Sequence, residues 1–186
     1  MTLMLLSGPV SEPVTLDQAR AHLRLDAHDE DDLLNAFLVA ARAALEGRTR
    51  RAFITQSWRL ILNAWPAGAV FLPIAPVSAV TSVTMNDAEG PRVLAATDYE
   101  TALGERARLL PSIVWPAPTR RIGGIYIDVV AGYGAAGDVP EPLRLAILLL
   151  AAHWFEYREP VSLGPHGDEL PFTVSALIAP YLRLHL

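Results

Sequence analysis

Residues 140–160, PEPLRLAILLLAAHWFEYREP, decide how the rest of the chain is read. Pro140 and Pro142 suit the start of a helix, where a missing N–H does no harm, and Pro160 stops it. Between them Leu143, Ala146, Ile147, Leu150, Ala151 and Trp154 recur at three and four residues as one apolar stripe. Leu145, Leu148, Leu149, Ala152 and Phe155 make the opposite side nearly as apolar. A surface helix needs only one such face. This helix, 140–159, is therefore expected to be covered on both sides, by its own domain on one and by something else, such as another subunit, on the other.

Working outward towards the N-terminus, the sequence changes texture twice. From Thr55 to Tyr133 the segments are short, rich in Val, Ile, Thr and aromatics, and broken by Pro, Gly and Asp. Strands are expected near Gln56–Asn63, Ala69–Leu72, Val80–Asn86, Tyr99–Ala102, Arg108–Leu110 and Gly124–Ala131, with WPAG, NDAEG and LGERA as turns. Ile125, Ile127 and Val129 alternate with Tyr126, Asp128 and Val130, as in a sheet with one wetter face. Pro111, Pro116 and Pro118 confine their stretch to a loop or edge. GYGAAGD then leads into the apolar helix, with Gly132 and Gly134 supplying backbone freedom.

Before Thr55 the pattern is helical. Thr15 and Gln18 form a capping-box pair that opens a short helix to about His22. Asp26 or Asp29 is expected to cap the next helix, which places Glu30, Asp31 and Asp32 in its first turn and runs to about Thr49. Leu34, Phe37, Leu38, Ala41, Ala44 and Leu45 are expected inward, and Asn35, Arg42 and Glu46 outward. The fold class is α+β: an N-terminal helical pair within 15–50, an antiparallel β region over 55–133 and the long apolar helix. Residues 1–160 form the compact domain. Beyond Pro160, VSLGPHGDELP reads as an exposed loop, and 161–186 as a C-terminal tail. Its short helix carries Leu177, Ile178, Tyr181 and Leu182, and it either folds back or docks on a partner.

Composition narrows the function. The 186 residues are 52 % hydrophobic, with a mean hydropathy of +0.28, yet no apolar run approaches the ~20 residues of a membrane span. MTLMLLSG lacks a basic start and is shorter than the usual ~15–30-residue secretory signal, so it reads as mature sequence. There is no cysteine, which excludes disulfides and thiol catalysis. All 15 basic residues are arginine and the formal charge is −5. A protein that grips phosphate backbones would carry a larger positive patch. The densest basic groups, Arg48, Arg50 and Arg51 and then Arg120 and Arg121, suit solvated termini, interface salt bridges or a nucleic-acid contact.

The chemistry-bearing residues do not assemble into a motif. Asp29 to Asp32 are consecutive, so a helix splays them around its axis, and the glycine and distal glutamate of a calcium loop are missing. His153 and Glu156 share a helical face but lack the HExxH pattern or a third spaced ligand. They read as the polar seam of the helix, bonded to each other or to Arg158. His22, His28, His166 and His185 are isolated, and Ser162 and Ser175 have no base in register. A GxxxxGK[ST] loop is impossible without lysine. No enzyme, cofactor or metal is expected. Trp115, in IVWPAP, is the tryptophan best suited to an interface, because its ring offers contact area at low entropy cost.

These residues resemble a known family, the head–tail connectors (adaptors) of tailed phages, prophages and phage-like gene transfer agents. The resemblance runs from about Val14 to Tyr181. VTLDQARAHLRLDAHDEDDLLNAFLVAARAALEGRTRRAF is similar to that family's capped short helix, acidic turn and long helix. TQSWRL and LPIAPVSAVTSVT resemble its first strands, VVAGYG with VPEPLRLAILLLAAHWFEYRE its most recognisable block, and LPFTVSALIAPYLRL its closing segment. The resemblance implies a non-enzymatic homo-oligomeric ring, commonly a dodecamer, beneath the capsid portal. Portal protein is bound on one side and neck or tail proteins on the other, and DNA passes through without sequence-specific binding.

On this chain the resemblance makes Leu177, Ile178, Tyr181, Leu182 and Leu184 the portal-docking candidates. Leu145, Leu148, Leu149, Phe155, Trp115, Arg50 and Arg51 are the subunit-interface candidates. The implied location is the neck of a virion or phage-like particle, with host cytoplasm before assembly and no membrane. The alternatives are another neck or tail-completion protein of the stopper kind, or a small hydrolase whose pocket collects His153, Glu156 and a third polar residue.

Overall fold

Eight strands and four helices make up the computed structural model, which describes residues 1–157 and 170–183. The last residues expected in the long helix, the loop of 161–169, Arg158, His166, His185 and Leu184 lie outside the described residues. The chain forms two compact units, one of residues 1–10 and 54–133 and the other of 11–53 and 134–186.

The first unit is the β region. Its main sheet joins β1 (Thr2–Ser7), β2 (Gln56–Leu62), β8 (Ile125–Ala131), β4 (Val77–Asp87) and β5 (Gly90–Val93) in the order β1-β2-β8-β4-β5. Every pairing in it is antiparallel. A smaller sheet orders β3 (Val70–Phe71), β7 (Arg108–Pro111) and β6 (Tyr99–Ala102) as β3-β7-β6. The two sheets are bridged where the Val77 and Gly104 backbones exchange hydrogen bonds of 3.0 and 2.8 Å.

The alternation read from the sequence is what builds the main sheet. Ile125, Ile127, Val129 and Ala131 are buried while Tyr126, Asp128 and Val130 stay half-buried on the other face. Leu60 and Leu62 of β2 and Val83 and Met85 of β4 add to the buried set. Each such aliphatic side chain contributes about 2 kcal/mol by leaving water. Strands β1 and β5 are the two whose existence the sequence pattern did not announce. Both are edges, and β1 carries Met4, Leu5 and Leu6 largely exposed.

The second unit is helical: α1 (Leu16–Leu23), α2 (Asp31–Thr49), α3 (Glu141–Glu156) and α4 (Phe172–Ile178), with a 3₁₀ turn at Ala179–Tyr181. The capping box is formed: Thr15 Oγ1 accepts from the Gln18 N–H at 3.2 Å and Gln18 Oε1 from the Thr15 N–H at 3.0 Å. Leu34, Leu38, Ala41 and Leu45 of α2 meet Leu143, Ala146, Ile147 and Leu150 of α3 in its buried interior. Phe37 stands edge-on to Phe155, ring centroids 6.5 Å apart. Helix α3 starts as its prolines require, with Pro140 at the cap and Pro142 in the first turn. Helix α4 packs against α3 and buries Val174 and Ile178, so this part of the tail folds back.

Three details correct the sequence reading of α2. Neither Asp26 nor Asp29 caps it; Glu30 occupies the cap position, and its side chain makes no capping hydrogen bond. The reason is that Arg20 gathers the preceding turn, donating to the Asp26 carbonyl at 3.1 Å and to Asp31 Oδ1 at 2.7 Å. Arg42 points inward, not out, and Ala44 is exposed. Arg42 is buried because Glu12 Oε2 and Glu46 Oε2 meet its guanidinium at 2.7 and 2.6 Å. A buried charge is tolerated when it is paired and hydrogen-bonded in this way.

Two glycines of the GYG turn are fixed by geometry. Gly132 has φ +135°, and a Cβ there would collide with the Ile54 carbonyl. Gly134 has φ +134° and faces the Asp138 carboxylate, which in turn accepts the Ala135 N–H at 2.9 Å.

Candidate functional site

The helical unit holds its surface in place with buried arginines. Arg51 donates from Nε to the Tyr181 carbonyl at 2.8 Å and lies over the Tyr181 ring, 5.6 Å from its centroid. The C-terminal turn is thereby tied to the second residue beyond α2. Burial alone would lower the Arg42 pKa, but the Glu12 hydrogen bond and the nearby Glu46 charge outweigh it and hold it above the usual arginine value. The His28 ring beside Asp31 holds that carboxyl below its ordinary value, desolvation opposes this, and Arg20 adds to the lowering. The same His28 ring nitrogen also lies against the Arg20 guanidinium. The acidic turn is thus organised around a guanidinium, which leaves Asp26, Asp29 and Asp32 exposed.

Helix α3 buries its main stripe and also Ala152 and Phe155 from the opposite side, leaving a narrower strip less covered. Leu145 is 40 % exposed, and Leu148 and Leu149 are half-buried. Beside Leu149 lies a cleft of about 250 Å³ whose lining includes Ala152, His153, Glu156, His22 and Thr173. His153 stacks on Tyr157 at 5.0 Å between centroids.

In the β unit, the segment between β7 and β8 is a pinned loop. Trp65 and Trp115 stack with centroids 4.0 Å apart. Their indole N–H groups donate to the carbonyls of Pro116 at 3.0 Å and Asp98 at 3.2 Å. Thr119 N–H donates to the Asn86 carbonyl at 3.0 Å, and Gly123 N–H to Asn63 Oδ1 at 2.9 Å. The loop nevertheless leaves Ile113, Val114 and Ile122 exposed. On β2 and β8, Arg59 and Asp128 sit directly opposite and form a two-pronged pair of 2.6 and 2.7 Å.

The interface candidates therefore have different fates. Leu145, Leu148 and Leu149 lie together along the less buried side of α3, whereas Phe155 turns to Phe37 in the interior. Trp115 is half-buried against Trp65, and it is its neighbours Ile113 and Val114 that reach solvent. Arg50 is exposed and closes α2 in the left-handed conformation, φ 55°. Arg51 is buried on the Tyr181 turn. Of the portal-docking candidates, Ile178 is buried, Leu177 and Tyr181 are half-buried and Leu182 is exposed. Phe172, the first residue of α4 after Pro171, is 86 % exposed.

His153 and Glu156 do share a cleft with a third polar residue, His22. Among the described residues, however, no group of three His, Cys, Asp or Glu side chains is placed to hold a metal ion. No helix among them is long and apolar enough to cross a membrane.

What the two units present to a partner is surface: a half-covered helix, a stowed tail and a pinned apolar loop. These are the means of a structural joint. The family profile of phage gp6-like head–tail connector proteins matches residues 13–91. No curated protein matches the chain. Among solved structures, a chain from the neck of an empty gene transfer agent (GTA) particle, computed with C6 symmetry, is 33 % identical with a TM-score of 0.82. A chain from the virion of a native GTA particle is 32 % identical with a TM-score of 0.83. One from the neck of a native GTA particle, computed with C12 symmetry, is 32 % identical with a TM-score of 0.76. Each alignment covers 100 % of this chain and 97 % of the other. The chain belongs to the head–tail connector family, the structural, non-catalytic neck proteins of phages and phage-like gene transfer agents.

Proposed function

We propose that this protein assembles as a closed ring beneath the capsid portal and joins it to the neck or tail proteins below, around the DNA channel. The observation that carries the reading is the end-to-end likeness to chains from GTA necks, two of which were computed with cyclic symmetry. A ring subunit needs apolar surface left over from its own core, and the Leu145–Leu148–Leu149 side of α3 supplies it. The net charge of −5 suits a channel through which DNA slides, since tight phosphate contacts would hold it back.

In this reading the C-terminal segment from residue 161 onward is the portal-docking tail. Leu182 is exposed in the free chain and Leu177 and Tyr181 are partly so. Ile178 engages the portal only once α4 leaves α3, because it is buried there. A chain ending at Tyr181 tests the tail directly. It keeps α4 and the carbonyl that Arg51 holds, so it folds, and it loses portal binding in a pull-down. Unchanged binding would rule out the residues after Tyr181 as the docking element.

A further inference from the structure

Resting on the ring reading above, we propose which surfaces meet between neighbours. The loop between β7 and β8 of one copy seats Ile113 and Val114 in the cleft beside α3 of the next copy, with Arg120 and Arg121 turned to that neighbour's acidic helical unit.

A closed ring is held by a contact between two different surfaces of the same chain. The apolar loop serves as one and the cleft beside α3 as the other. The loop is already ordered: two indole hydrogen bonds, the Trp65–Trp115 stack and the Thr119 and Gly123 bonds fix it. Val114 is 95 % exposed and Ile113 50 %. Apolar side chains held rigidly in water bind at low entropic cost. The cleft is the other surface. Its volume of about 250 Å³ accommodates a branched aliphatic side chain; Leu23, Leu149 and Val174 are in its lining, and His22, His153, Glu156 and Thr173 form its polar walls.

Charge selects the same pairing. No acidic residue lies between Glu105 and Asp128, while Arg106, Arg108, Arg120 and Arg121 are exposed there. The β unit is neutral, six arginines against six acids. Among the described residues the helical unit sets eight arginines against eleven acids and so carries the excess of negative charge. Glu156 stands at the cleft, and Asp17, Asp26, Asp29 and Asp32 are exposed on the same unit. Such complementarity fixes partner and register. The apolar tip favours a protein partner for these arginines over DNA phosphates, which would leave Ile113 and Val114 in water.

The absence of cysteine makes the test direct. Val114→Cys and Thr173→Cys are introduced together, both at exposed positions, and the full chain is assembled on its portal and treated with a short bismaleimide. The inference predicts a ladder of covalent oligomers up to the copy number of the ring, and none with either single variant. Rings of wild-type mass that yield no ladder overturn it while leaving the ring reading intact. If the wild-type chain forms no ring, both readings fall. Arg120→Glu with Arg121→Glu is predicted to abolish ring formation in a chain that still folds by circular dichroism. Intact rings with weaker DNA retention would assign these arginines to DNA and overturn the pairing.

Discussion

Arg51 holds the carbonyl of Tyr181, 130 residues further along the chain, and covers its ring. This couples the end of α2 to the turn that follows α4. Arg51→Ala removes a charge-assisted bond of about 1.5–3 kcal/mol. The expected result is faster amide hydrogen exchange across 172–183, with protection in the centres of α2 and α3 retained. Equal exchange in both proteins would show that Val174 and Ile178 alone hold the tail.

The Arg59–Asp128 pair predicts an acid dependence of stability. The Arg59 hydrogen bonds hold the Asp128 carboxyl below its ordinary value, against desolvation, and Ser82 assists. A carboxylate depressed in the folded state stabilises fully above its unfolded pKa of about 3.9 and loses that contribution as pH falls through the folded value. Asp128→Asn is therefore less stable than wild type by about 1 kcal/mol at neutral pH, the pair being partly exposed. Denaturant midpoints measured from pH 7 down to pH 2 are expected to converge at the acid end. A constant gap would contradict the assignment.

Gly132→Ala combines a left-handed backbone with a clash against the Ile54 carbonyl. The expected loss is about 2 kcal/mol or more, read as a lower denaturant midpoint. Gly137 has open space around it and no positive φ, so Gly137→Ala serves as the control and is expected to cost little.

Leu149→Asp separates core from interface. Leu149 is half-buried at a cleft, unlike Leu150, which is fully buried. The aspartate variant is expected to keep a wild-type circular dichroism spectrum and to lose ring assembly. Leu150→Ala is expected to cost about 2–5 kcal/mol through the cavity it leaves.

Much of this was legible in the sequence because it rests on local pattern. The period-two alternation of 125–131 places β8, and the Thr15–Gln18 pair and Pro140 place the starts of α1 and α3. What was not legible depends on pairing across the chain. Thr2–Ser7 has no alternation of its own and becomes a strand only by joining β2. Gly90–Val93 is four residues with a proline inside, which reads as turn until β4 holds it. Arg42 looks like a surface residue of α2 until Glu12, thirty positions earlier, arrives beside it. The C-terminal segment reads as apolar throughout, but only the folded packing distinguishes the buried Ile178 from the exposed Leu182. Trp115 draws attention by its ring, yet stacking on Trp65 turns that ring inward and leaves the outer contacts to Ile113 and Val114.

The most direct test of the central claim is the mass of the complex formed when the purified chain is mixed with the portal protein of the same particle. A ring under the portal predicts a mass increase equal to a closed set of copies, twelve or six if the symmetries of the related necks apply. Two folded components that remain at their separate masses would contradict it.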